Sequence, residues 1–552
     1  VEGSGRSKLP FSGLFTGFNS LSERKTGMAV LVLFVMVSTA VAVFHEPWLD
    51  EAQSWLIARD ASYSDMLFKL PHVEGHVPLW WLILSIPTKL GVPYETGLKA
   101  VNIIISASAC AVFLFRSPFP NAFKAVMPFT YFFMYQYAVI ARPYMLVTLA
   151  LFLAADSFKT RGEHPVRTLL SLILLCLADT FGIAITGGIA AAWVIDLIRK
   201  RAVFRSYKQV LCLAALLAAA ILLMLMIWPT GNSAGMDEVS SKPVLKTFLM
   251  EILMLPSELC ITSMTAYGPD AITGLSSGQL LITSVISILL WAALAYFFVR
   301  RDILPDIFLP FLTLMIFGAL YIYLHHFGLF LMTGIYAAWI SLSTRKDTGT
   351  ETSRKDLMRW LGGAFCSVGV VISIMWTCFA SVNDINHPYW ISRDLYNWIE
   401  ENSLEDRKWF ATWDLTADES GTHAVEQNTA VTREATPVNP YLNDAKPLNF
   451  NNEGVTYAIF ASNPDSTNEA DIASWKSMGE PDLILCSDMS RAAIIMQEMG
   501  YGSQYDMAYI RECRTSWKDT FTKGGVMVLI RRDSGISYRA ELSDLPSIMG
   551  QG

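Results

Sequence analysis

Charge is scarce in this sequence. Only 16% of its 552 residues are Asp, Glu, Lys or Arg, against 53% hydrophobic. That shortage excludes an ordinary soluble globular protein, in which about a quarter of the residues are charged. A glycine-rich phosphate loop is missing: no Gly-x-x-x-x-Gly-Lys-Ser/Thr occurs. Its absence removes an ATP-driven pump and argues against a nucleotide-sugar donor, because that loop cradles nucleotide phosphates with backbone N–H groups. Nothing points to a nucleic-acid partner. Cys-x-x-Cys is also absent, so the eight cysteines form no redox or zinc motif. Six lie in or near apolar runs. Cys486 and Cys513 lie in the polar C-terminal part and would pair if that part faces an oxidising compartment. Internal repeats and low-complexity tracts are lacking too.

What is present is a series of long apolar runs, each able to cross a bilayer, which takes roughly 20 residues. The chain reads as an α-helical polytopic membrane protein. Residues 1–26 carry Arg6, Lys8, Arg24 and Lys25 and are expected in the cytoplasm by the positive-inside rule. The run 27–44 is a span rather than a signal peptide, since no small-residue cleavage site follows it. Basic clusters around Arg116, Arg161, Arg199, Arg300 and Arg345 should return to the cytoplasm. The turns between them then face outward: Ala141–Tyr144, Asp179–Gly182, the loop 230–277, and His325–Gly328. Parity excludes residues 79–90 as a span, and Pro87 interrupts them. We therefore expect 51–95 to lie as interfacial helices, with Trp80 and Trp81 at headgroup level. The run 246–266 is read as interfacial too. About 11 spans remain, the last delivering the C-terminus outside.

Beyond residue 384 polar residues dominate. Apolar runs at 409–413, 456–461, 482–486 and 526–530 and a helical pattern over 490–499 predict a small outer α/β domain over 384–532. Residues 415–455 read as loop-rich and 533–552 as a frayed tail.

The residues that could carry chemistry gather at the outer face. Asp50 and Glu51 follow Pro47, which suits a first helical position. Two carboxylates in a first turn complement the helix dipole, and the same placement suits a general base. Flanked by Trp48 and Trp55 at the mouth of a bundle, the pair is read as catalytic, with Glu51 the secondary member. Arg142 offers a fork for phosphate, or snorkels to headgroups. His325 and His326 either donate to a phosphate, bind a metal or serve structure. Glu74 and His76 alternate with His72 along the loop 45–95, and a divalent metal held by Asp50, His72 and His76 stays open, as do headgroup contacts. Asp179 either lines the cavity or caps its turn, and Glu258 is a further outer carboxylate.

Trp48, Asp50, Glu51 and Ala52 after a first span, Glu74 to Trp80 leading into a Pro-Leu helix start, and Tyr137 to Tyr144 at the next outer turn together resemble the GT-C glycosyltransferases. They resemble above all the relatives of protein O-mannosyltransferases and of the aminoarabinose transferase of lipid A. The resemblance covers about residues 27–200 in motifs and the rest in architecture. It implies a GT-C transmembrane domain over 27–383 and an outer domain. It also implies a polyprenyl-phosphate-linked sugar donor, and a glycan, lipid or protein acceptor at the outer face of a plasma membrane. Asp50 takes the position of the family's acceptor-side Asp. Arg142 and Tyr144 fall in its second outer motif, where several members carry a second acid that this chain lacks. The expectation is sugar transfer with inversion, Asp50 acting as base and Arg142, with His325 or His326, on the phosphate. The rival from another class, a transporter or flippase of lipid-linked sugars, would need paired mid-span charges and broken helices in both halves.

Overall fold

The computed structural model describes residues 23–201, 206–229, 243–264, 276–299, 302–344, 353–411, 415–417, 423–425, 435–442, 456–457, 473, 476–487 and 489–544. Among the described residues seven helices are long and apolar enough to cross a membrane. They are α1 (Glu23–Phe44), α6 (Tyr94–Arg116), α10 (Thr180–Arg199), α11 (Tyr207–Met226), α14 (Ser277–Phe298), α16 (Phe327–Thr344, with the turn before it) and the latter part of α17 (Ser353–Asn386). The expected 11 included four shorter segments. These are a π-helical stretch, Phe132–Val139, and the helices α8 (Tyr144–Ser157), α9 (Pro165–Ala178) and α15 (Leu304–Leu320). A helix of 14 residues, such as α8 or α9, reaches only about 21 Å, short of a hydrocarbon core of roughly 30 Å. Burial resolves the mismatch for α8, which is covered along most of its length. In α11 and α14, by contrast, only 17% and 11% of the apolar window is buried.

The bundle has two ends. Helices α10 and α15 pack antiparallel, with Phe181 against Phe317 at one end and Arg161 bridging Asp196 and Asp306 at the other. The first end carries the loop after α1, which folds into four short helices: α2 (Leu49–Asp60), α3 (Tyr63–Phe68), α4 (Leu70–Glu74) and α5 (Leu79–Lys89). With 11 residues, α5 is too short to span. Trp80 and Trp81, expected at headgroup level, are buried against α2 and α6. Their rings close the apolar underside of α2, the larger gain for so much aromatic area. Residues 244–260 form two further short helices, α12 (Val244–Leu253) and α13 (Leu255–Cys260).

The C-terminal unit begins after α17, with α18 (Arg393–Glu401) packed on a four-stranded sheet. Its strands are β1 (Trp409–Ala411), β4 (Leu483–Cys486), β5 (Tyr505–Trp517) and β6 (Thr520–Arg531). A small separate ribbon pairs β2 (Leu415–Ala417) with β3 (His423–Val425). The sheet order is β1-β4-β6-β5, with β1 and β4 parallel and the rest antiparallel. Helix α19 (Met489–Met499) covers one face. Cys486 and Cys513 do not pair: Cys486 packs on that face with Ile484, Cys513 on the other with Leu483 and Leu485. Strand alternation puts them on opposite sides of the sheet. The run 456–461 lies almost wholly outside the described residues.

Two features escaped the sequence reading. The β5–β6 hairpin is long enough, at about 3.3 Å per residue, to reach from the sheet into the bundle. There Trp517 packs on Tyr131, Phe132 and Phe327. Lys518, in the left-handed region at φ 55°, is fully buried, its ammonium donating to the Thr262 carbonyl at 2.7 Å and to Glu258 Oε2 at 3.2 Å. Glu258 is thus part of a docking contact. The supposed tail is not frayed over 533–544 either. The Ile510 N–H donates to the Glu541 carbonyl and the Glu541 N–H to the Ala508 carbonyl, both at 2.9 Å, so the segment covers the open edge of β5.

Candidate active site

The site is built on the start of α2. Successive helical residues point about 100° apart, so Asp50 and Glu51 cannot face the same way. Glu51 turns inward and is buried. Its Oε2 accepts from the Trp48 N–H at 3.2 Å and lies 3.0 Å from His45 Nε2, while its Oε1 accepts from the Ala141 N–H at 2.6 Å. The expected secondary catalytic acid is therefore fully engaged in holding the loop 45–52 to the turn before Arg142. His45, also buried, continues inward through Nδ1 to Asp384 Oδ2 at 2.8 Å, and the Tyr135 hydroxyl donates to Asp384 Oδ1 at 2.8 Å. Burial alone would lower the His45 pKa, but Glu51 and Asp384 on its two sides outweigh it and raise it to about 9. His45 is thus an imidazolium linking α1, α2 and α17. Its partner Asp384 was not singled out from sequence; an acid ending the last apolar run was the available signal.

The turn that carries Arg142 is fixed from a second direction. The Asn102 amide donates to the carbonyls of Tyr137, Ala138 and Ile140 at 3.0, 2.9 and 3.3 Å. These belong to the end of the π-helical stretch, where carbonyls lack regular partners; π-turns recur at functional sites. A lone Asn inside an apolar run was the sequence signal for this role.

Arg142 emerges from that turn. Its Nη1 lies 2.7 Å from Asp50 Oδ2, with the guanidinium 9% exposed and the carboxylate 31%. The guanidinium also lies over the rings of Tyr144, 5.0 Å away, and Trp48, 5.8 Å away. Such contacts hold a desolvated cation by the ring quadrupole. Among the described residues the buried Tyr144 hydroxyl has no hydrogen-bond partner. His325 stacks on Tyr144 with ring centroids 5.7 Å apart and meets the edge of Trp48 at 6.5 Å. The two histidine rings touch, with centroids 4.2 Å apart, but have different partners: His326 is buried, its Nδ1 accepts from the Tyr323 N–H at 2.9 Å, and its ring packs on Phe181 at 4.2 Å. His325 is the histidine beside Arg142, and His326 shapes the wall behind it.

The far rim comes from α4 and the turn after it. The Gln53 amide donates to Glu74 at 2.9 Å. Burial pushes the Glu74 carboxyl up to about 7, and the nearby Asp50 charge adds to the rise. Gly75, at φ 67°, turns the chain so that His76 Nδ1 comes within 3.7 Å of Asp179 Oδ2. Burial would lower the His76 pKa, but Asp179 raises it on balance. Asp179 meanwhile caps α10 by accepting from the Phe181 N–H at 2.9 Å, the capping role read from the sequence.

The structure thus brings together Asp50, Arg142, Tyr144, His325, Glu74 and His76. It does not bring in His72, whose Nδ1 sits 2.7 Å from the Trp228 carbonyl. The metal trio of Asp50, His72 and His76 fails on geometry, because each side chain turns to a different partner. Among the described residues no three His, Cys, Asp or Glu side chains converge as ligands.

No protein-family model matches the chain, and none of the curated proteins matches it. Among solved structures it is similar to a crystal structure of ArnT from Cupriavidus metallidurans bound to undecaprenyl phosphate. That likeness has a TM-score of 0.46 and 11% identity, and covers 92% of this chain and 98% of that one. The apo state of the same protein gives a TM-score of 0.44 and 12% identity over 91% and 98% of the two chains.

Proposed function

We propose that this protein is a membrane glycosyltransferase of the GT-C type. It moves a sugar from a polyprenyl-phosphate-linked donor to an acceptor hydroxyl at the outer face of a plasma membrane. The N-terminus is cytoplasmic and the C-terminal unit lies outside. The acceptor is a glycan, a lipid or a protein. The observation that carries the reading is the unequal pair of Asp50 and Arg142: a guanidinium only 9% exposed, held over the Tyr144 and Trp48 rings, beside a carboxylate that is 31% exposed.

A phosphate arriving on its lipid carrier competes with Asp50 for Arg142, since planar guanidinium groups bind phosphate as a fork. Asp50 is then free to take the acceptor proton. The acceptor oxygen forms its bond to the anomeric carbon as the bond from that carbon to the phosphate oxygen breaks. The electron pair stays on the phosphate, where Arg142 and His325 meet the growing charge. One displacement inverts the anomeric configuration. The Tyr144 hydroxyl, Glu74 and His76 are placed to bind the substrate's polar groups.

The test is Asp50→Asn in purified protein given labelled polyprenyl-phosphate sugars. Loss of a positioned base predicts transfer slower by about 10²–10⁴-fold, with carrier binding and thermal melting close to wild type. A variant that consumes the donor at the native rate sinks the assignment.

A further inference from the structure

We propose a second lipid site, remote from the transfer reaction, that holds the headgroup of an acidic phospholipid at the opposite end of the bundle. A cavity of about 510 Å³ opens there between the first turns of α1, the last turn of α6 and α7 (Asn121–Val126). That volume falls within the roughly 300–1,000 Å³ of small-molecule sites. The 22 residues of α1 separate it from His45 by about 33 Å, so it shares no wall with Arg142.

Its lining is selective in sign: among the described residues Arg24 and Lys124 both line it, and no Asp or Glu does. Among the same residues the buried Thr26 hydroxyl beside them has no hydrogen-bond partner and can donate to an acceptor oxygen. Leaving such a group unsatisfied is unfavourable. The other wall is apolar, including Leu114 and Phe115. A Cβ on Gly27 would fall 2.8 Å from the Phe115 ring, so the glycine is what lets α1 and α6 close around the cavity. Phe115 itself stays 40% exposed, which leaves an apolar exit toward the bilayer. Two cations, an unused hydroxyl and a greasy exit match a phosphodiester with acyl chains attached. Basic pockets between membrane helices bind anionic headgroups on the same logic.

Native mass spectrometry of the full-length protein, titrated with phosphatidylglycerol or phosphatidylcholine, tests the site. The wild type should retain phosphatidylglycerol in preference. At roughly fivefold per basic side chain near the headgroup plane, the double variant Arg24→Gln, Lys124→Gln should bind it about 25-fold more weakly. Ala125→Phe keeps both charges but fills the cavity, and should lose the lipid as well; it serves as the independent variant if the double one misfolds. Equal retention of the two lipids overturns the proposal. So does unchanged binding in Ala125→Phe, or displacement of the lipid by millimolar inorganic phosphate.

Discussion

Two arginine–aspartate clusters sit at opposite ends of this bundle, and their difference separates architecture from chemistry. Arg161 is paired on two sides: one Nη donates to Asp306 at 2.7 Å, the other to Asp196 at 3.0 Å, and its guanidinium lies 4.3 Å from the Phe158 ring. Asp306 is buried beside it. Arg142 makes an ion pair of the same 2.7 Å length, yet its partner is 31% exposed, and among the described residues the neighbouring Tyr144 hydroxyl has no partner. A guanidinium held between two carboxylates joins helices. One paired with a single, partly exposed carboxylate, and held in place by Glu51, Asn102 and His45 behind it, can exchange that partner for a ligand.

Substitutions that treat the two clusters alike should therefore give opposite readouts. Against the activity loss of Asp50→Asn stands Asp306→Asn. It leaves a buried guanidinium half-paired and should cost on the order of 3–5 kcal/mol of stability, with turnover per folded molecule unchanged. A chemical or thermal melt beside a transfer assay checks both, and a native melt in Asp306→Asn would break the comparison. Arg142→Lys keeps the charge but loses the fork. We expect turnover to drop about 10²–10³-fold, the range seen when one donor to a developing anion is removed, with little change in melting.

Next in size is pH. The His45 pKa is raised to about 9, so its stabilisation is complete below the unfolded value near 6.5 and is lost as pH rises through 9. The carboxyls of Glu46 and Glu74 are each raised to about 7. Folding takes up their protons between the unfolded value near 4.5 and 7, so stability falls as pH rises across that window too. The melting temperature should decline from pH 5 to pH 9, and His45→Gln should flatten the part above pH 6.5. A melting temperature that rises with pH would contradict these assignments. The smallest effect belongs to Tyr144→Phe. Its hydroxyl has no partner to lose, so melting should hold. Loss of one hydrogen bond to substrate, about 0.5–1.5 kcal/mol, should raise KM roughly 2- to 12-fold.

Much of this molecule is legible in its sequence. Low charge and long apolar runs determine a helical membrane bundle, because lipid offers backbone groups no other partner. Basic clusters at alternate turns sort the loops into two sets, which is how Asp50, Arg142 and His325 could be assigned to one face before any contact was known. A rise in polar residues after the last span marks a separate unit.

Tertiary structure decided the rest. It turned Glu51 away from Asp50, gave His325 and His326 different partners, withdrew His72 from the site and buried Trp80 and Trp81. It also sent the hairpin carrying Trp517 and Lys518 into the bundle and laid residues 533–544 along a strand edge. Patterning reports which side of a membrane or sheet a residue occupies, since that depends on its own polarity and its neighbours in sequence. Whether a polar group ends up satisfied or left open depends on partners from distant segments. His45 with Asp384, Asn102 with the carbonyls before Arg142, and Lys518 with Glu258 meet only when the chain has folded.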